Sequence, residues 1–144
     1  MNYNRNSILL ISPAYHTWWV GPFPGLGWIA SSLERIGLEP KIIDCQITKD
    51  YKKKILECLK YYSTIGITTT IGAISSALEI ASLIRKFSPE TKIIFGGPHP
   101  TAIYDKLIPK YADIVVLGEG EETAAELMQE DDLSKIKGIA YWDG

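Results

Sequence analysis

The sequence predicts an α/β fold in which a parallel β-sheet is covered by helices on both faces. Short apolar runs rich in β-branched residues recur along the chain, and amphipathic helical patterns separate them. The apolar runs are continuous rather than alternating, as in parallel strands that are buried on both faces. The chain has 144 residues, which is enough for one domain with a core of its own.

Five strands and five helices alternate in this pattern. The strands are predicted at residues 7–11, 41–44, 64–68, 92–95 and 113–117. The helices are predicted at residues 26–36, 51–62, 74–84, 101–110 and 121–130, with apolar residues at intervals of three and four. Right-handed crossovers then give a doubly wound, five-stranded parallel sheet, for which the flavodoxin-like (Rossmann-like) order 2-1-3-4-5 is the commonest.

The end of the sequence forms a separate short segment. Residues 138–142 are another apolar run, and Asp143 and Gly144 follow as a pair typical of hairpin turns. We therefore predict one domain over residues 1–135. Residues 136–144 are predicted to begin a linker or strand that leads toward a further domain.

Composition excludes several classes of function. Fifteen basic and 17 acidic residues give a net charge of −2, which argues against a nucleic-acid partner. Two cysteines are too few for a disulfide framework or a self-contained iron–sulfur cluster. The apolar run at residues 8–11 is too short for a signal peptide, and no run approaches the ~20 residues of a membrane span. We expect a cytoplasmic protein with reduced thiols and no membrane partner.

The loops that follow the strands carry the candidate binding residues. In such a sheet, ligands bind outside the carboxyl ends of the strands where the strand order reverses, here between strands 1 and 3. The candidates are Ser12, Pro13, Ala14, Tyr15 and His16 after strand 1, Thr68, Thr69 and Thr70 after strand 3, Gly96, Gly97, Pro98 and His99 after strand 4, and Gly118, Glu119, Gly120 and Glu121 after strand 5.

Glycines give two of these loops their expected function. Gly96 and Gly97 lack a Cβ, so backbone can approach a bulky ligand there, although a tight turn would also explain the pair. We expect Gly97→Val to block binding without unfolding the domain. The loop at residues 118–121 opens a helix, where free N–H groups can hold an anion or hydroxyl, but Glu119 and Glu121 argue against a tightly held phosphate.

The loop after strand 1 is long and aromatic. It carries Tyr15, Trp18, Trp19 and Phe23 within residues 12–24. Such a loop either folds back on the domain or presents an apolar surface to a planar ligand or a partner domain. We predict the second, with the aromatic rings facing the ligand or the partner.

Several common sites are absent from the sequence. No G-x-G-x-x-G follows strand 1, no P-loop motif occurs, and no set of catalytic residues stands at the strand ends. Cys58 is interpreted as a packing residue, and Cys45, which follows Asp44 at a strand end, as an inert thiol. Two histidines exclude a histidine-rich metal site, but His16 or His99 could each supply one ligand to a metal carried inside a cofactor.

Two motifs at the ends of strands 4 and 5 point to one family. Gly-Gly-Pro-His-Pro-Thr occupies residues 96–101 and Gly-Glu-Gly-Glu occupies residues 118–121. Pro-Gly-Leu-Gly at residues 24–27 and Gly-Ile-Ala-Tyr at residues 138–141 flank them. With Ser12 and Pro13 after strand 1, this pattern resembles the N-terminal cobalamin-binding domain of cobalamin-dependent radical S-adenosylmethionine (SAM) enzymes, over nearly the whole chain.

The resemblance implies a flavodoxin-like domain that binds cobalamin. In the family, a C-terminal radical SAM domain follows and carries a [4Fe–4S] cluster, S-adenosylmethionine and a C-x-x-x-C-x-x-C motif, which is absent here. That domain is the expected partner, and the parent enzyme is expected to be a methyltransferase or an anaerobic magnesium-protoporphyrin monomethyl ester cyclase. The alternatives are a flavodoxin-like domain that binds another ligand such as a flavin, and an interaction domain without a cofactor.

One motif of related cobalamin domains is incomplete. Their D-x-H-x-x-G motif supplies the histidine that coordinates cobalt, whereas here Ala14 stands two residues before His16 and the next glycine is Gly21. The aspartate that would orient the imidazole is missing. His16 therefore remains a possible cobalt ligand, and we predict that it is not an obligatory one.

Overall fold

The protein is described by a computed structural model over residues 7–15 and 24–144. Six strands and five helices alternate along these ranges, with two short 3₁₀ helices at Ile71–Ala73 and Leu133–Lys135. In chain order they are β1 (Ser7–Ser12), α1 (Pro24–Arg35), β2 (Glu39–Asp44), α2 (Tyr51–Cys58), β3 (Thr64–Thr68), α3 (Ile74–Phe87), β4 (Lys92–Gly96), α4 (Pro98–Leu107), β5 (Ile114–Val116), α5 (Glu121–Gln129) and β6 (Ile139–Tyr141).

The strands form one sheet in the order β2-β1-β3-β4-β5-β6. Strands β1 to β5 are parallel, which confirms the predicted fold class and the order 2-1-3-4-5. The sheet has a sixth strand that the five-strand prediction lacked, and β6 is antiparallel to β5. Residues 130–138 lead from the end of α5 back to the carboxyl edge of the sheet. Ile139, the first residue of β6, therefore pairs with Val116, the last residue of β5, and the two strands run in opposite directions.

Alternate residues of the strands pack under opposite helical layers. The larger core lies under α2, α3 and α4, and its strand residues include Leu9, Ile11, Ile65, Ile67 and Phe95. The other face lies under α1 and α5, where Ile8, Leu10, Ile94, Ile114 and Val116 contribute apolar side chains. The sheet is therefore doubly wound, with α1 and α5 together on one face.

Helix α4 begins earlier than predicted. It starts at Pro98 rather than Thr101, because proline fits the first turn of a helix, where the missing N–H has no intrahelical partner. Pro98 and His99 therefore lie in a helix and not in the loop to which the sequence assigned them. The helix is kinked at Ile103, whose φ of −128° and ψ of 23° are not helical.

Within the described ranges, no helix combines the length and the apolar character that crossing a membrane requires. The two cysteines are free and buried.

Candidate functional site

A cavity of about 550 Å³ lies between the sheet and helices α1 and α5. It opens beside the loops that follow β4 and β5, at the carboxyl edge of the sheet. Its strand residues are Ile8, Leu10, Gly66, Ile67, Thr68, Ile94, Phe95, Gly96 and Val116. Its helix and loop residues are Gly25, Leu26, Trp28, Ile29, Gly97, Pro98, Thr101, Gly118, Glu119, Gly120, Glu121, Ala124 and Leu127.

Glycines leave much of this space open. Six of the 12 glycines in the chain line the cavity: Gly25, Gly66, Gly96, Gly97, Gly118 and Gly120. A Cβ on Gly96 would meet no atom of the described residues within 4 Å, whereas one on Gly66 would lie 2.9 Å from Leu10 Cδ2. Glycine in a central strand marks a place where something approaches the backbone closely. At Gly66 the group that approaches is the Leu10 side chain. At Gly96 no described atom approaches, and the space beside the backbone is part of the cavity.

Gly97 is a glycine for a different reason. Its φ is +113°, and a Cβ there would lie 2.6 Å from the Thr69 carbonyl oxygen. The Thr69 N–H donates to the carbonyl of Gly96 at 3.1 Å, so this turn is packed against the end of β3. Gly97→Val would strain the backbone at this φ and bring its Cβ against the Thr69 carbonyl, so a loss of binding in this variant would not isolate an effect on the ligand. Gly96 is the position that can carry a side chain into the cavity.

Thr101 joins the two glycine loops at the mouth of the cavity. Its hydroxyl donates to the Gly97 carbonyl at 2.9 Å and accepts from the Gly118 N–H at 3.2 Å. A single hydroxyl therefore satisfies a backbone acceptor in one loop and a backbone donor in the other. Thr101 therefore links the two loops at the mouth of the cavity.

A buried serine fixes the helical wall of the cavity. Ser32 of α1 is 5% exposed and donates to the Glu121 carbonyl at the start of α5, at 2.7 Å. Arg35 donates to the Ser32 hydroxyl at 3.4 Å. The two helices that cover the cavity are therefore joined by a polar contact as well as by apolar packing.

Eight of the 16 residues predicted for the site line the cavity. They are Thr68, Gly96, Gly97, Pro98, Gly118, Glu119, Gly120 and Glu121. These residues come from the ends of β3, β4 and β5 and the start of α5. The structure thus brings together three of the four loops that the sequence selected.

The other predicted residues lie outside this cavity. Ser12 and Pro13 are buried at the end of β1, Ala14 packs against the larger core, and the Tyr15 carbonyl accepts from Gln46 Nε2 at 3.2 Å. Thr69 is buried, Thr70 precedes the first 3₁₀ helix, and His99 is half-buried in α4. His16 and the predicted aromatic residues Trp18, Trp19 and Phe23 lie outside the described residues.

Sequence reasoning missed the apolar floor of the cavity. Leu10, Gly66, Ile94, Leu26 and Leu127 line it, and none of them stands in a loop. Trp28 lies at the rim and is 64% exposed. The available signal was Gly66, a glycine in the middle of an otherwise β-branched central strand.

The titratable and polar groups of the site are few. Among the described residues, no three His, Cys, Asp or Glu side chains are placed to hold a metal ion. Burial raises the pKa of the Cys45 thiol to about 12, and the charge of Asp44 adds to this, so that thiol is protonated near neutral pH. Thr68, Thr101, Glu119 and Glu121 supply hydroxyls and carboxylates to the cavity lining, whose other side chains are mostly apolar.

Comparison with protein families gives a direct match. The model of the B12 binding domain family matches residues 20–128. This span includes α1, all of α5 except Gln129, and the ends of β3, β4 and β5 that line the cavity.

Relatives with similar sequences are much longer than this chain. An uncharacterised protein of Methanocaldococcus jannaschii is 34% identical over 115 residues, which are 77% of this chain and 21% of that protein. An uncharacterised protein of Methanopyrus kandleri is 28% identical over 130 residues, 83% of this chain and 24% of the relative. The anaerobic magnesium-protoporphyrin IX monomethyl ester cyclase of Synechocystis is 31% identical over 83 residues, 54% of this chain and 17% of the cyclase. The chain spans about a fifth of these relatives.

Solved structures share the fold. The radical S-adenosylmethionine methyltransferase TsrM from Kitasatospora setae, with tryptophan and a SAM analogue bound, superposes with a TM-score of 0.83 at 20% identity. That match covers 94% of this chain and 28% of TsrM. The TsrM structure with cobalamin and a [4Fe–4S] cluster bound gives a TM-score of 0.81 at 21% identity, covering 94% of this chain and 29% of that one.

Proposed function

This chain belongs to the B12 binding domain family, and from that premise we propose that it holds cobalamin for a radical SAM domain in a longer protein. The observation that carries the proposal is the glycine-lined cavity at the carboxyl edge of the sheet. The nucleotide tail of cobalamin, a dimethylbenzimidazole base on a ribose phosphate, is proposed to occupy it.

The size of the cavity supports this proposal. Its volume of about 550 Å³ falls within the ~300–1,000 Å³ of ordinary small-molecule sites. It reaches from Gly96 at the carboxyl edge to Leu10 and Gly66 deeper over the sheet. A base held at that depth is removed from the corrin outside the sheet edge, so we propose that cobalamin binds with its base detached from cobalt.

The remaining predicted site residues are proposed to serve the corrin. Ser12 ends β1 and is followed by Pro13, Ala14 and Tyr15. Thr69 and Thr70 follow β3, and His99 lies at the start of α4 after β4, so all of these residues lie at the carboxyl edge. His16 belongs to the same loop in sequence, and its proposed role is a contact that binding does not depend on. When bound, cobalamin would supply a cobalt centre for methyl transfer or radical chemistry, and this chain would orient it and exclude water from its tail.

The longer protein is proposed to carry the catalytic domain. The relatives are four to six times as long as the matched region, and the cyclase and TsrM have names that describe radical or ring-closing chemistry. That second domain would hold the [4Fe–4S] cluster and S-adenosylmethionine. The proposed reaction is a methyl transfer or a radical cyclisation. The cytoplasm is the proposed compartment, since the two cysteines are free thiols.

A single substitution tests the tail site. Gly96→Leu puts a side chain into open cavity space without requiring an unusual φ, since Gly96 is not among the positive-φ glycines. We expect binding of hydroxocobalamin, followed by its visible spectrum, to weaken by about 100-fold, because the side chain competes with the tail for volume. The domain should still fold, as judged by its circular dichroism and thermal melting.

Gly27→Leu is the matched control. Gly27 lies in α1, is exposed, does not line the cavity, and also has no described atom within 4 Å of its Cβ position. This variant should bind like the wild type. Gly96→Ala, with a smaller side chain, should give an intermediate loss. Wild-type affinity in a folded Gly96→Leu protein would show that the tail does not occupy the cavity.

A further inference from the structure

We infer that the cavity selects among cobamides by their lower base and favours an apolar benzimidazole over a purine. Cobamides share the corrin and differ in this base, so the class of ligand accepted depends on the chemistry of the cavity floor. The inference rests on the proposed function, because it assumes that the nucleotide tail enters the cavity.

The cavity changes from polar to apolar with depth. Thr68 pairs with Gly96 at the carboxyl edge, and two residues earlier Gly66 pairs with both Leu10 and Ile94. Two residues along a strand span about 6.6 Å, so this second row lies that much deeper. Among the described residues, the hydroxyls and carboxylates that line the cavity belong to Thr68, Thr101, Glu119 and Glu121. These residues lie at strand ends, at helix starts and in loops.

The floor offers few hydrogen bonds to a ligand. Leu10, Ile94 and Leu127 supply only apolar atoms there. The nearby buried hydroxyl of Ser32 is already used, because it donates to the Glu121 carbonyl. The strand backbone at this depth takes part in the pairing of β1, β3 and β4. A base that enters this far is surrounded mainly by side chains that cannot donate or accept.

The two kinds of base respond differently to such a floor. The methylated edge of dimethylbenzimidazole has no polar atom, so burying it gains hydrophobic free energy. The corresponding edge of adenine carries an amino group and ring nitrogens that lose water without gaining partners. An unsatisfied buried polar group of this kind weakens binding by about 10- to 100-fold.

A floor variant isolates this effect. The full chain is titrated with cobalamin, with the cobamide that carries adenine as its lower base, and with cobinamide, which lacks the nucleotide. The same titrations are made on Leu127→Gln, which places an amide on the floor. The cost of detaching each base from cobalt belongs to the free ligand, so it cancels when the adenine-to-benzimidazole affinity ratio is compared between the two proteins.

We expect Leu127→Gln to shift that ratio toward adenine by about 10-fold while leaving cobinamide binding unchanged. Met128→Gln is the matched control, because Met128 is the next residue of α5 and does not line the cavity. Its ratio should equal that of the wild type. If Leu127→Gln does not fold, Ile94→Thr provides a floor hydroxyl on a β-branched side chain.

The outcomes separate the two ideas. If the wild type binds neither cobalamin nor cobinamide, the proposed function fails. If cobalamin binds but the folded floor variant leaves the base ratio unchanged, the selection by the floor is overturned and the proposed function stands. A shift toward adenine in the floor variant alone supports the inference.

Discussion

The Cys45 thiol illustrates how burial controls the chemistry of one side chain. It lies directly after β2, is 5% exposed, and its neighbour Asp44 carries a negative charge. Both effects oppose a thiolate and raise the pKa to about 12, although the Ala14 backbone contact acts in the opposite direction. The interpretation of Cys45 as an inert thiol is consistent with this environment.

The raised pKa of Cys45 predicts a loss of stability at high pH. In the unfolded chain the thiol has its ordinary pKa of 9.0, so above that pH the unfolded state loses a proton that the native state keeps. The free energy of unfolding therefore falls between about pH 9 and 12, and this thiol accounts for about 1 kcal/mol of the loss at pH 10. Urea unfolding of the wild type and Cys45→Ala at pH 7 to 10.5 measures it.

The difference between the two proteins is the informative quantity, because lysines and tyrosines also titrate in this range. That difference should shrink by about 1 kcal/mol from pH 8 to pH 10. A difference that does not change with pH would contradict the burial of the thiol. Native Cys45 should also react slowly with iodoacetamide, and urea should release this protection.

Some residues of the site could be predicted from the sequence, and others could not. Gly96 could be selected as a site residue because it follows a strand in a glycine pair. Leu10 and Ile94 could not, since an apolar strand residue looks the same in a sequence whether it packs against a helix or borders a cavity. Which of the two occurs depends on how far α1 and α5 stand from the sheet, and that distance is a property of the packed fold.

At the scale of elements, the site depends on hydrogen bonds that link the turn between β4 and α4 to the turn between β5 and α5. Each pair contributes a glycine-containing turn, and Thr101 of α4 bonds to both turns. The sequence predicts the turns but not the bond, because a threonine three residues into a helix has no pattern that marks a partner 17 residues away. The early start of α4 at Pro98 places Thr101 in its first turn.

Removing the Thr101 hydroxyl should weaken the mouth of the cavity. Thr101→Val keeps the side-chain volume and leaves the Gly97 carbonyl and the Gly118 N–H without this partner. We expect the free energy of unfolding to fall by about 1–2 kcal/mol and cobalamin to bind about 10-fold more weakly. Denaturant unfolding and spectroscopic titration are the measurements.

Thr101→Ser distinguishes the hydroxyl from the methyl group. It keeps the donor and the acceptor, so affinity should return to within about threefold of the wild type. If the serine variant binds as weakly as the valine variant, the contribution of Thr101 is packing and the hydrogen bonds do not position the loops.

At the scale of the whole molecule, the sheet extends further than the sequence predicted. The five parallel strands follow from their β-branched apolar runs, whose predicted ends lie within two residues of the observed ones. The direction of β6 could not be predicted, because a run of three residues does not indicate whether the strand is parallel or antiparallel to its neighbour. Its pairing with β5 and the 7% exposure of Ile136 place this part of residues 136–144 in the packed structure.

A pair of truncations tests the predicted boundary at residue 135. A chain of residues 1–135 lacks β6 and the buried Ile136, so we expect its free energy of unfolding to fall by about 2–4 kcal/mol, from Ile136 burial and lost strand pairing. A chain of residues 1–141 loses Trp142, which is 63% exposed, and should match the full chain to within about 0.5 kcal/mol. Equal stability of all three would place the boundary of the fold at residue 135.

The glycine-lined cavity has a consequence for the lifetime of the protein. When no ligand is bound, the atoms that line an apolar cavity lack the contacts that a closed core would give them, so the ligand-free fold is less stable than the ligand-bound one. A ligand that binds only the folded chain restores this, by about 2.7 kcal/mol when its concentration is 100 times its dissociation constant. Unfolded chains are the ones that proteases destroy. The abundance of this protein should therefore follow the supply of its cofactor, because cells that lack the cofactor should degrade the ligand-free protein faster.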